Sequence, residues 1–344
     1  MNRTTLLLTC GFVGAAAFAW PALAADTVTA IKAAAAPDMK AGAGDSAWAK
    51  AEALSVQLSG GANFNDGKTT ATIKAVYVGD VLYMLVQYDD PTQSVRRSPY
   101  QKQADGSWKK LADPNDAGGN NNVYYEDKFA MIWNINNSIR GFSQLGCMAA
   151  CHMGEPGKPY GNKYLSGEGE LGDIWHMKSI RTGYIGQADD QYLDHTRYNK
   201  DVAPDAGRKT DPKTGGGYDD IKLTNGKPEF MHKSGIPANQ RGGTYYLRAE
   251  DKAPFDDSKF KPGEEVASIL VAPFAGDRGD IAAAIAWNNG KWTTVLSRKL
   301  VTGSQYDVQF DKLDGTYEFG LAAFDNAQVR HAFHIGALKL KFAK

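Results

Sequence analysis

The chain has 344 residues, with 39 basic and 39 acidic side chains and a formal net charge of zero. That balance excludes general nucleic-acid binding, which needs a basic face. Three cysteines in a chain of this length exclude a disulfide-built miniprotein, because a core of this size forms without staples.

Residues 1–25 read as a cleavable signal peptide. Arg3 supplies the positive start, Leu6 to Trp20 an uncharged apolar run, and Ala22-Leu23-Ala24 a small-residue cleavage site after Pro21. The run is shorter than the ~20 residues that span a bilayer, and no later stretch is longer or more apolar. The mature chain is therefore expected to be exported to the periplasm, with no integral membrane segment. Cleavage removes Cys10 and leaves Cys147 and Cys151 as the two remaining cysteines.

Residues 26–45, rich in Ala, Gly, Asp and Lys, read as a flexible leader. A single domain over 46–344 follows. Leu54 to Leu58 alternates apolar and polar like a half-buried strand. Thr70–Val78 and Val81–Tyr88 flank Gly79-Asp80 as a hairpin. Phe129–Trp133 is a further strand. From about 141 to 243 strand signals nearly vanish, and this stretch holds both mature cysteines and four of the six histidines. Strands are expected again at Thr244–Arg248, Val266–Val271, Ile281–Trp287, Lys291–Leu296 after the Asn288-Asn289-Gly290 turn, Val308–Phe310, Tyr317–Phe324 and His334–Phe342. Short strands without a convincing helical stripe predict an all-β fold, a β-sandwich carrying a long irregular insertion at about 141–243. A loop of that length in a compact domain is usually functional.

The insertion carries the chemistry. Cys147-Met-Ala-Ala-Cys151-His152 is one residue longer than the C-x-x-C-H signature of covalent haem attachment. In that reading each thiol bonds one haem vinyl group and His152 ligates the iron. At helical spacing, residues four apart share a face, so both sulfurs reach one porphyrin edge. The same residues are also compatible with a Cys147–Cys151 disulfide, a zinc or copper site lacking a fourth ligand, or two plain thiols.

Trp175, His176, Lys178 and Arg181 lie within seven residues. They offer an apolar wall, a strong-field ligand and two cations for haem propionates. Near the C-terminus, strand alternation puts His331 and Phe333 on one face and His334 on the other. His331 is thus a candidate second iron ligand, with His176 as its rival. His195 and His232 read as solvated. The acidic pairs Asp189-Asp190, Asp219-Asp220 and Asp256-Asp257 do not match an EF-hand loop.

The sequence resembles the haem-binding domain of the ethylbenzene dehydrogenase γ-subunit family, also described as cytochrome c-552/DMSO reductase-like. Ser46–Ala51, Glu126–Trp133, Met153–Pro156, Asp173–Lys178 and Phe319–His331 carry the resemblance, in that order, over nearly the whole mature chain. It implies a sandwich related to family-9 carbohydrate-binding modules, with a haem docked at one end and a role in electron transfer. Members of the γ-subunit type hold haem b through a Met and a Lys. By that match His152 falls at the Met position and His331 near the Lys position, making them the two axial ligands.

The expectation is a monohaem c-type cytochrome, an electron carrier and not an enzyme. Its cofactor is one covalently attached haem c, and its metal ligands are His152 and His331. Its partners are redox proteins, among which the resemblance includes a molybdenum oxidoreductase. Two other classes remain open: an exported ligand- or carbohydrate-binding module with a Cys147–Cys151 disulfide, and a haem sensor or enzyme with an open distal site.

Overall fold

The computed structural model describes residues 26–116, 119–150 and 154–343. Among them, thirteen strands join one hydrogen-bonded sheet. In chain order these are β1 (Thr27–Lys32), β2 (Leu54–Ser59), β3 (Lys68–Val78), β4 (Val81–Asp89), β5 (Lys128–Asn134), β6 (Gly172–Lys178), β7 (Asp189–Leu193), β8 (Arg208–Thr210), β9 (Ala282–Asn288), β10 (Lys291–Lys299), β11 (Tyr317–Phe324), β12 (Ala332–Phe333) and β13 (Leu338–Phe342).

Pairing and turn chemistry explain most of this order. The β3–β4 hairpin closes between Val78 and Val81, with Gly79 supplying the positive φ that a tight two-residue turn needs. The β9–β10 hairpin closes around Asn289 and Gly290, both at positive φ. Along β3, Thr69, Ala71, Ile73 and Ala75 are buried and alternate with more exposed residues, as a pleated strand requires.

The sheet folds over into two layers. One runs β9-β10-β4-β3-β2, the other β8-β7-β6-β5-β11-β13. Strand β12 joins β2 to β11, and β1 runs parallel to both β3 and β13. Between the layers lies a continuous apolar core that includes Ile73, Met84, Val86 and Trp292 from one side and Phe129, Met131, Trp133, Trp175 and Phe319 from the other. Burying each such Leu- or Phe-sized side chain contributes about 1.5–3 kcal/mol. The chain is thus an all-β sandwich. A smaller core of Tyr100, Trp108, Ile221, Met231, Leu247, Phe260 and Val266 packs beside it. No helix among the described residues is long and apolar enough to cross a membrane.

The structure corrects three expectations. Residues 26–45 do not form a flexible leader throughout, because β1 buries Val28 and Ala30 between two partner strands. The segment 141–243 is not wholly irregular, since it contributes β6, β7 and β8 to the main sheet. Strand β6 is covered on both faces, which erases the alternation that would have revealed it. Thr244–Arg248 and Val308–Phe310 form no strand; Leu247 makes one isolated bridge, and Phe310 enters the core from a loop. The proposed signal peptide, residues 1–25, lies outside the described residues.

Candidate functional site

On the outer face of β5, β6, β7 and β11, small and apolar residues form a floor: Ala130 and Ile132, Ile174, Leu193, and Gly320 and Ala322. An open cleft lies over them, about 550 Å3 counting the space continuous with solvent. A single helical turn, Phe142–Leu145, and the 3-10 turn Gly146–Ala149 bring Cys147 to its wall.

Two glycines make that approach possible. A Cβ on Gly320 would sit 2.8 Å from Cys147 Cβ, so the turn packs directly on the sheet. Gly146 has φ +55, and a Cβ there would lie 2.0 Å from the Gly336 carbonyl oxygen. The Cys147 Sγ is 3.8 Å from the His334 carbonyl oxygen. Burial pushes the Cys147 thiol up to about 11, so it is a neutral thiol at neutral pH.

Two imidazoles line this same cavity, His176 from β6 and His331 just before β12. The Phe324 ring lies between them, 5.9 Å from His176 and 4.9 Å from His331. His176 Nδ1 is 3.0 Å from Gln191 Oε1. With an acceptor there, the ring donates from Nδ1 and carries its lone pair on Nε2. Among the described residues that buried Nε2 has no partner. Burial, and then the charges of Lys178 and Lys128, hold the His176 pKa well below the usual imidazole range. The neutral form with a free nitrogen is the one that ligates a metal.

A second, polar cleft, about 770 Å3 counting the space continuous with solvent, adjoins the first and shares Lys163, His176, Arg208 and Phe324 with it. Lys128, Lys158, Lys178 and Arg181 also line it. Several of these cations are already engaged. Lys178 pairs with Asp189 and is 3.1 Å from the Tyr218 hydroxyl. Arg181 pairs with Glu126, whose second oxygen also accepts from the Ile180 and Arg181 amides. Lys128 donates to the Gln328 carbonyl and lies 4.0 Å over the Phe324 ring.

Lys163 and Arg208, which no sequence motif flagged, line both cavities. Among the described residues neither forms an ion pair. Burial, then the charges of Arg208 and Lys178, pulls Lys163 down to about 7. A bound dianion at this mouth would restore its proton.

The structure therefore brings Cys147, His176, Lys178, Arg181 and His331 around one composite cleft. Trp175 does not join them. It points the other way, into the sandwich core, packed on Trp133 and Phe310 and donating to Asp173. The expectation that it forms a wall of the cleft is corrected, because neighbouring residues on a strand face opposite sides. Cys151 and His152 lie outside the described residues. The described residues at the cleft fit a haem: a thiol at the wall, a buried imidazole nitrogen without a partner among them, an apolar floor, and cations in the adjoining polar cleft.

Residues 45–335 match the family model described as ethylbenzene dehydrogenase. No curated protein sequence matches the chain. Among solved structures, a family-9 carbohydrate-binding module from Caldicellulosiruptor kristjanssonii in complex with cellotriose is similar, with 9% identity over 92% of this chain and 95% of that one, at a TM-score of 0.35. A putative carbohydrate-binding protein from Bacteroides uniformis has 10% identity over 92% and 99% of the two chains, at a TM-score of 0.38.

Proposed function

The chain belongs to the ethylbenzene dehydrogenase family, and from that premise we propose that it is an exported, periplasmic monohaem c-type cytochrome carrying single electrons between redox partners. One observation carries the reading: Cys147, His176 and His331 line a single apolar cavity, and a cation-rich cleft adjoins it.

In this proposal Cys147 and Cys151 would hold haem c through thioether bonds, and His152 and His331 would ligate its iron. When bound, the haem would supply the one-electron couple. The floor of Ala130, Ile132, Ile174, Gly320 and Ala322 would exclude water from it, and Lys163 and Arg208 would receive the propionates. With two imidazoles on the iron the chain would serve as a carrier rather than an enzyme. Its partners are redox proteins; the family points to an oxidoreductase complex, and the resemblance makes a molybdenum oxidoreductase the first to test.

The unpartnered Nε2 of His176 favours a second reading of the distal side, in which His176 ligates the iron and His331 stands at the rim.

The test is expression with the native N-terminus in cells competent for c-haem maturation, followed by denaturation. Haem that stays with the polypeptide, with a c-type reduced α-band, supports the proposal. A colourless protein with Cys147 and Cys151 oxidised to each other overturns it and leaves the binding-module class. His331→Ala is expected to abolish the low-spin spectrum while His176→Ala retains it; the reverse result selects the second reading. Carbon monoxide binding to the reduced wild type would instead point to an open distal site.

A further inference from the structure

Behind the cleft, on the core side of β7, lies a group of carboxylates that electron transfer does not use. Asp190 on β7, Asp211 just past β8 and Asp307 in the loop before β11 are 0%, 2% and 1% exposed. One carboxylate oxygen from each lies within 4.8 Å of the others. Among the described residues no amide, hydroxyl or cationic donor bonds either oxygen of Asp190, either of Asp211 or Oδ1 of Asp307; the side chains that reach them are other carboxyls, Asp280 at Asp190 and Asp307 at Asp211. Asp173, fully buried beside them, also has an unpartnered Oδ1.

The positive charge on hand is too small. Arg298 is 2.8 Å from Asp173, 3.8 Å from Asp190 and 3.6 Å from Asp307. Among the described residues it is the one basic side chain ion-paired with any of these four carboxylates. One guanidinium shared among Asp173, Asp190 and Asp307 leaves the four carboxyls short of positive charge, and without a further cation, burial holds Asp190 and Asp211 above the usual carboxylate range.

We propose that Asp190, Asp211 and Asp307 bind a divalent cation, Ca2+, inside the sandwich. The ligand set is oxygen only, which selects hard cations. Oxygens ~2.4 Å from a common ion lie at most ~4.8 Å apart, a limit that one oxygen from each of the three residues meets. Ca2+ takes several protein carboxylates in one site, whereas Mg2+ keeps most of its waters and uses one or two. Asp280, an exposed residue, lies within hydrogen-bonding reach of Asp190. The ion joins β7 to the segment after β8 and to the 300–310 loop. It therefore fixes the strand whose opposite face presents Gln191 to His176.

The experiment uses the full mature protein, stripped with a chelator and then titrated with CaCl2 by calorimetry, with metal content and thermal midpoint read alongside. The wild type is expected to take up Ca2+ with a midpoint that rises by several degrees, and Mg2+ is expected to replace it poorly. Asp211→Asn is expected to lose one equivalent of Ca2+, while Asp90→Asn, in a separate acidic group, keeps it. Asp280→Asn, at the exposed edge, keeps the fold and weakens binding about 10-fold. A stripped wild type that neither takes up Ca2+ nor changes its midpoint overturns the proposal, as does uptake unchanged in both Asp211→Asn and Asp280→Asn.

Discussion

His176 and Gln191 face each other across β6 and β7, with Nδ1 3.0 Å from Oε1. This contact fixes the ring and leaves Nε2 for the cavity. Gln191→Leu is expected to leave the buried Nδ1–H unpaired, at a cost of about 1–3 kcal/mol. Urea denaturation of the haem-free protein measures it; a midpoint equal to the wild type would mean the contact carries no stability.

The second prediction concerns the buried pair Glu126 and Arg181. Burial raises the Glu126 carboxyl, but Arg181 and Arg97 outweigh it and hold the pKa below the usual 4.5. A carboxylate depressed by folding contributes stability that is complete above about pH 4.5 and is lost as pH falls through its lower folded value. Glu126→Gln is expected to destabilise the protein at neutral pH by about 3–5 kcal/mol, because Arg181 is then buried without its partner. The same variant should lose less stability than the wild type between neutral pH and acid. Parallel acid-denaturation curves for the two proteins would contradict this.

Lys163 and Arg208 provide a redox prediction. A cation beside the cofactor favours the state with the extra electron. Lys163→Met and Arg208→Met are each expected to lower the midpoint potential, read by spectroelectrochemistry, without releasing haem. A potential unchanged in both variants would remove these residues from the propionate end.

The glycines under the cysteine turn give a maturation prediction. Gly320→Val is expected to push the turn off the sheet, since even a Cβ would meet Cys147 at 2.8 Å. Gly146→Ala adds a strained positive φ to a clash with the Gly336 carbonyl. In both variants the yield of haem-stained protein should fall well below wild type while the β-sheet circular dichroism persists, because neither glycine is in the sandwich core. Undiminished haem staining would refute the packing argument.

Legibility in the sequence tracked exposure. The β3–β4 and β9–β10 hairpins were readable because each strand has a distinguishable face and a turn with positive-φ residues. Strand β6 was not, since Asp173, Trp175, His176, Met177 and Lys178 are all buried. Its polar residues are inside because ion pairs and hydrogen bonds satisfy them, and no local pattern announces those partners. Strand β1 was hidden by its Ala- and Thr-containing composition, which becomes a strand only where β3 and β13 provide edges on both sides.

By itself the sequence determined the family, the all-β class and the chemical inventory of the site, because a Cys-x-x-x-Cys-His segment and strand alternation are local properties of the chain. Only the tertiary structure decided that Trp175 meets the core and His176 the cleft. It alone gathered Lys163 and Arg208 at the mouth, and Asp190, Asp211 and Asp307 behind it. The reason is physical: each of these positions is defined by partners distant in the chain, and a residue's burial, charge balance and free lone pairs exist only once those partners have arrived.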